Sequence, residues 1–352
     1  MEHYVTKLRR LYIPTHIQIE LTKICNWKCR FCYAECDGSH GMTKEQLKKL
    51  LRELKREGTL EINFTGGEPL MRSDCYEIFE YAKKMGFVLT LNTNGSLINE
   101  NNVDKIKSLF GRIDISLHSS EEQIHDEIVQ TKGAWKKTMN ALRLFQDCPK
   151  KILVKCVLTS NELSDIEKMK KMIRDMGFDF NIDFNITPTY SGSLEPLQYK
   201  LSSQEIKKLI SKNPDYIYRL RVEEIHDKFK VKKMSDGICR AGRNLAFIDA
   251  EGNVYPCITF KSSNGLIYKG SDYLQNVKET SFHDIWKENG LFQKIRELEA
   301  KDFEKCLNCE NDYYCKKCIG VNLKENGSLI SPSESYCSHY NDMYSFLRQY
   351  NE

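Results

Sequence analysis

Between residues 16 and 185 short apolar runs alternate with longer segments whose apolar residues recur at helical spacing. His16 to Leu21, Leu60 to Phe64, Phe87 to Asn92, Ile113 to Leu117, Ile152 to Leu158 and Phe180 to Phe184 are rich in β-branched or aromatic residues and predict strands. The segments between them predict helices over Thr43 to Glu57, Ser73 to Met85, Asn101 to Phe110, Trp135 to Gln146 and Glu162 to Met176. Gly58, Gly86, Gly111 and Gly177 stand where such helices would stop. Strands alternating with helices build a parallel sheet. With six units against the eight of a closed TIM barrel, the expected fold class is α/β, a partial (β/α)6 TIM-like barrel followed by a cysteine-rich C-terminal domain.

The periodicity loosens after residue 185, where TPTYSGSLEP is followed by a charged amphipathic stretch. Residues 186–238 are therefore read as a bridge between a barrel over 1–185 and a terminal domain over 239–352. That last third is short on long strands and rich in Cys, Asn, Gly and Lys, the composition of a domain that needs bound metal to hold its shape. Only about fifteen residues precede the first strand, too few for a separate domain.

Charge changes little in this picture. With 53 basic and 49 acidic residues the net charge is +4, which gives no electrostatic argument for a nucleic-acid or membrane partner. No apolar run approaches bilayer-spanning length, and the amino terminus lacks the apolar stretch of a secretory signal, so a soluble, cytoplasmic protein is expected. Cysteine changes it considerably. There are 14, and a reducing cytosol gives structural disulfides in a chain of this size little reason to persist. They are also clustered, which favours metal.

Cys25-x3-Cys29-x2-Cys32 follows the first strand directly, so its thiols share one loop at the carboxyl end of that strand, where α/β folds collect their chemistry. Three thiolates can hold three irons of a [4Fe-4S] cube and leave the fourth open. Thr65-Gly66-Gly67-Glu68-Pro69 follows the second strand, and its glycines let backbone approach a ligand. Taken singly, the first motif could belong to a zinc site and the second could be only a tight turn.

Together these motifs resemble the radical SAM superfamily, with Phe31 as its aromatic residue before the last cysteine. The resemblance implies that Cys25, Cys29 and Cys32 ligate a [4Fe-4S] cluster whose open iron is chelated by S-adenosylmethionine (SAM), which is cleaved to methionine and a 5′-deoxyadenosyl radical. It implies that Gly66, Gly67 and Glu68 hold the SAM amino group, and that Asn94, Ser116 and Asn161 line the same pocket. Cys239, Gly252-x4-Cys257, Cys306-x2-Cys309-x5-Cys315-x2-Cys318 and Cys337 resemble a SPASM domain, which binds two auxiliary [4Fe-4S] clusters. Carried over, Cys306, Cys309, Cys315 and Cys337 would ligate the outer cluster and Cys239, Cys257 and Cys318 the inner one, one ligand short. The last gap is x2 where the family usually has x3. Phe282 to Trp286 and the helix to Arg296 resemble the stretch before the family's central run.

Most SPASM enzymes act on peptides, so the resemblance implies a maturase that modifies a ribosomally made precursor by crosslinking, epimerisation or related C–H functionalisation. The alternatives are a SPASM enzyme for a small-molecule or cofactor precursor and a zinc-stabilised binding module. Sulfatase maturation is disfavoured because Ile258 follows Cys257, where those enzymes carry an Asp. Expected partners are a peptide, a separate leader-binding protein, and a low-potential donor such as ferredoxin or flavodoxin. His118, Asp183, Asn185 and Tyr190 are candidates for substrate contact, and Cys36 for hydrogen-atom donation to a product radical. Cys75, Cys148 and Cys156 read as ordinary helix or core residues.

Overall fold

The computed structural model describes residues 11–160, 165–184, 186–212, 239–261, 274–309, 317–334 and 336–338. Six parallel strands run β1 His16–Glu20, β2 Glu61–Thr65, β3 Val88–Thr93, β4 Arg112–Ser116, β5 Ile152–Val157 and β6 Asp179–Asp183, each within a residue or two of its expected position. Between them lie α1 Lys44–Arg56, α2 Cys75–Lys84, α3 Val103–Leu109, α4 Glu122–Ile128, α5 Ala134–Leu144 and α6 Ile166–Asp175. The helix α4 has no counterpart among the expected elements; it is only two turns long, too short for an apolar period to declare itself. Gly58, Gly86 and Gly177 follow α1, α2 and α6 with φ of 85°, 82° and 83°, as helix stops do, whereas α3 ends when Phe110 becomes extended.

The sheet does not end with the barrel. Its order is β6-β5-β4-β3-β2-β1-β7-β8-β9, with β7 at Leu245–Ile248, β8 at Asn253–Tyr255 and β9 at Gln275–Asn276. Strand β7 pairs parallel with β1 from His16↔Leu245 to Ile19↔Ile248, so the cysteine-rich region extends the same sheet. The bridge holds α7 at Ser203–Lys212, and the C-terminal region holds α8 Phe282–Glu288, α9 Gly290–Glu297, α10 Glu304–Leu307 and α11 Ile319–Asn326. Phe247, Tyr255, Phe260, Leu291, Ile295, Phe303 and Ile319 form a buried core there, so apolar packing shapes this region.

Strand alternation sorts the side chains. Ile17, Ile19, Ile62, Phe64, Leu89, Leu91, Ile113, Ile115 and Val154 face the helices and pack on Leu47, Leu51, Ile78, Phe79, Ile106 and Leu142 in one core. The opposite, inner face carries His16, Gln18 and Glu20 from β1, Glu61 and Asn63 from β2, Thr90 and Asn92 from β3, Asp114 and Ser116 from β4 and Lys155 from β5. Its charges are internally matched: Glu61 pairs with His16 at 2.9 Å and accepts from Thr90, while Asp114 takes Arg112 at 2.6 Å and Lys155 at 2.5 Å. A closed TIM barrel fills this space with branched apolar side chains; here it is a polar lumen. The side-chain oxygens of Asn63 and Asn92 are buried in it with no hydrogen-bond partner.

Arg72 closes the long loop after β1. Its Nη1 donates to the carbonyls of Leu21, His40 and Met42 at 3.0, 3.0 and 2.8 Å, and its Nε meets Asp74 at 2.5 Å. Arg72→Met leaves three carbonyls and a carboxylate without their donor, and should cost about 3 to 5 kcal/mol in urea-monitored unfolding. Arg72→Lys should recover only part of this, since one ammonium cannot reproduce the planar fork.

Candidate functional site

The loop after β1 has no regular structure between Leu21 and the start of α1, so its shape comes from partners on both sides. On the β2 side, Leu21 N–H donates to Thr65 O, Gly67 N–H to Thr22 O and Glu68 N–H to Ile24 O, at 2.7 to 2.8 Å. A Cβ on Gly67 would lie 2.3 Å from Ile24 O and 3.0 Å from the Cβ of Cys25, so only glycine lets this turn reach the thiol loop. On the other side the β7–β8 turn presses in. Met42 N–H donates to Ala250 O at 2.7 Å, Ala250 N–H donates to Glu20, and Lys23 pairs with Glu251. From beneath, Lys28 and Arg30 N–H donate to Val129 and Ile128 O at the end of α4, each at 3.0 Å.

This frame carries Cys25, Cys29 and Cys32, all free thiols. Trp27 N–H approaches the Cys25 sulfur at 3.4 Å, and Cys32 N–H donates to Cys29 O. Burial pushes the Cys29 thiol well up and that of Cys32 to about 11, with neighbouring thiols adding to both. Cys25 is also raised, by its hydrogen bond with Cys36 first and by burial second. Three half-buried thiolates on one short loop would repel one another unless a cation joined them, and thiolates are what metal binding requires. Among the described residues no three His, Cys, Asp or Glu side chains converge where a single ion would be held.

Glu68 organises the second layer. Wholly buried, its Oε1 accepts from Leu70 N–H and the Thr93 hydroxyl at 3.1 and 2.8 Å, and its Oε2 from Asn94 N–H at 2.7 Å. Burial raises this carboxyl to about 7 against the pull of those three donors. Asn94 reaches back to the thiol loop, its Nδ2 donating to Asn26 Oδ1 at 2.8 Å, while Asn26 donates to Ser96. Ser116 ends β4, and two residues later the His118 ring meets Phe31 edge-on at 4.9 Å.

His118 and His125 stack at 5.7 Å against Trp27. The Nδ1 of His118 accepts from Val157 N–H and that of His125 from His118 N–H, so each ring keeps its proton on Nε2. Burial drives His118 well below the ordinary range and His125 to about 4, leaving both neutral. Tyr190 packs edge-on against Tyr33 at 5.3 Å, its hydroxyl buried without a partner; Asp183 ends β6, and Asn161 and Asn185 lie outside the described residues.

Sequence reasoning missed one group entirely. Glu20 at the end of β1 takes Lys261 Nζ at 2.7 Å, with Asp249 3.8 Å from the same ammonium, and Lys261 lies over the Tyr190 ring at 4.4 Å. Burial raises the carboxyls of Glu20 and Asp249 while Lys261 pulls both back. Nothing local in the sequence signals a pair 241 residues apart.

In the C-terminal region Cys257 follows β8 and Cys318 immediately precedes α11. The Cys257 thiol is raised to about 12 by burial, then by the thiols of Cys239 and Cys318. Burial and the neighbouring Cys309 raise Cys337. Cys306 packs against the C-terminal core, and Cys315 lies outside the described residues.

Comparison with known proteins agrees with this architecture. The radical SAM superfamily profile matches residues 19–180 and the SPASM profile, an iron-sulfur cluster-binding domain, matches residues 239–318. The chain belongs to the radical SAM superfamily and carries a C-terminal SPASM domain. It is 26% identical to an AdoMet-dependent heme synthase of Oleidesulfovibrio alaskensis, over 91% of this chain and 86% of that protein. It is 25% identical to the antilisterial bacteriocin subtilosin biosynthesis protein AlbA of Bacillus subtilis, over 89% of this chain and 69% of the relative. The fold is shared with Streptococcus suis SuiB bound to its precursor peptide SuiA, at a TM-score of 0.71 and 21% identity, covering 96% of this chain and 79% of SuiB. No described helix is long and apolar enough to cross a membrane.

The neutral imidazole pair sets an acid limit on stability. A histidine whose folded pKa lies below its unfolded value costs nothing above about pH 6.5 and costs progressively more as pH falls. For His125, with a folded value of about 4, the loss between pH 6.5 and 4 should reach about 3 kcal/mol. His125→Gln should flatten the fall of unfolding free energy between pH 7 and 5 relative to the parent chain.

Proposed function

We propose that this radical SAM/SPASM enzyme is a maturase that modifies a ribosomally synthesised peptide. When bound, the cluster at Cys25, Cys29 and Cys32 together with SAM supplies a 5′-deoxyadenosyl radical able to take a hydrogen atom from an unactivated carbon. The chain's own residues hold and shield. Gly66 and Gly67 bring bare backbone against the thiol loop, Glu68 fixes the Asn94 turn, and Phe31 with the neutral His118 walls the pocket on the β4 side. Cys239, Cys257 and Cys318 would hold an inner auxiliary cluster, and Cys306, Cys309, Cys315 and Cys337 an outer one.

The observation that carries the peptide reading is the match, over 89% of this chain, to the subtilosin biosynthesis protein AlbA, and the fold shared with SuiB bound to its precursor peptide SuiA supports it. A second reading, action on a cofactor precursor, is favoured by the heme synthase relative, whose match spans 91% of this chain. Mass change in a peptide encoded beside the gene and co-expressed with the enzyme supports the first; restoration of haem synthesis in a deficient strain without any such change rejects it for the second.

Anaerobically purified protein should contain iron and sulfide, and zinc without iron would defeat both readings. Cys29→Ala should abolish SAM cleavage, measured as 5′-deoxyadenosine. Cys309→Ala should retain cleavage yet form no product, and full product yield would show the outer cluster dispensable.

A further inference from the structure

Around Cys239, Cys257 and Cys318 a side-chain hydroxyl as well as backbone N–H groups reaches sulfur. The Thr259 hydroxyl lies 3.1 Å from the Cys257 sulfur. Backbone N–H groups add to this: Thr259 donates to Cys257, Gly320 and Val321 at the start of α11 donate to Cys318, and Ala241 approaches Cys239 at 3.5 Å. In the first loop the sulfurs of Cys25 and Cys32 receive the backbone N–H groups of Trp27 and Ala34, and Cys25 is hydrogen-bonded to the Cys36 thiol.

The Thr259 hydroxyl is held where it is by packing. The short turn Ile258–Phe260 presses on the first turn of α11 so closely that a Cβ on Gly320 would lie 3.0 Å from both the Thr259 Cβ and the Phe260 ring. Phe260 is fully buried, which leaves the turn little freedom to rotate the hydroxyl away. Once both cysteines are metal-bound thiolates they carry no proton, so Thr259 must be the donor to whichever sulfur it meets.

We propose that Thr259 is a positioning residue for the inner auxiliary cluster, whose hydroxyl, donating to the Cys257 thiolate, raises the cluster's reduction potential. The inference rests on the reading that Cys239, Cys257 and Cys318 hold an iron-sulfur cluster. Reduction adds one electron, and hence one negative charge, to that cluster. A donor to one of its thiolates stabilises the more negative state, as hydrogen bonds to cluster sulfur do generally.

The test is an EPR-monitored redox titration of the full-length, anaerobically reconstituted protein, with the inner signal defined as the one lost in Cys257→Ala. Thr259→Val removes the hydroxyl at nearly constant shape and should lower the reduced-to-oxidised ratio at the wild-type midpoint about tenfold, a shift of about 59 mV to more negative potential. Thr259→Ser should keep the wild-type midpoint, and Thr259→Ala, which needs no room for a branched side chain, should move it as Val does. An unchanged midpoint in both hydroxyl-free variants, or a Ser variant that shifts as far as they do, overturns the proposal. If no signal is lost in Cys257→Ala, the ligand assignment itself fails, and iron content separates that result from a cluster that is present but untuned.

Discussion

The structure depends on β1 being flanked on both edges by parallel partners. Residues 16 to 19 of this one strand pair with β2 and with β7, and the loop that leaves its carboxyl end is therefore gripped from two directions. The Gly66-Gly67 turn holds one side through Thr22 and Ile24, and the β7–β8 turn holds the other through Met42 and Glu20. A 23-residue irregular loop would otherwise be among the least ordered parts of a domain, and three cysteines on it would have no fixed separation. Here its order is derived from both the barrel and the SPASM region at once.

That arrangement explains why charges lie buried where the two regions meet. Glu20 and Lys261 would each be costly alone in an apolar setting, and their mutual bond with Ala250 N–H and Asp249 makes the burial tolerable. Such a pair adds little net stability over an apolar replacement, but it penalises any alternative register in which only one of them is buried. We regard it as a specificity device for the β1–β7 seam. The same logic runs through the lumen, where Asp114 is matched by Arg112 and Lys155.

Much of this was legible in the residues. The six strands and five of the helices follow from apolar period alone, and the thiol loop and Gly-Gly turn from their place after β1 and β2. The polar lumen was also written there, since HIQIE and EINFT place a polar residue at every second position, but counting apolar residues does not say which face is wet. What the chain could not declare was pairing across long separations. The β1–β7 ladder, the Glu20–Lys261 bond and the Lys28 and Arg30 bonds to α4 join segments far apart in sequence, and none has a local motif. Helix α4 escaped for the related reason that its burial rests on contact with the thiol loop through Ile128.

The wall presented by Phe31, Trp27, His118 and His125 is a consequence of those unreadable contacts, and it bears on the chemistry. A carbon radical persists only where water is excluded and no stray donor or acceptor diverts it. Two histidines would ordinarily bring protonation near neutral pH into such a site. Because each Nδ1 accepts from a backbone N–H, and because both rings are buried against aromatic faces, they stay uncharged and fixed in one tautomer. The β4 end thus adds directional N–H dipoles without a titrating charge, and the group of this layer whose charge changes across the neutral range is Glu68, whose carboxyl burial raises to about 7.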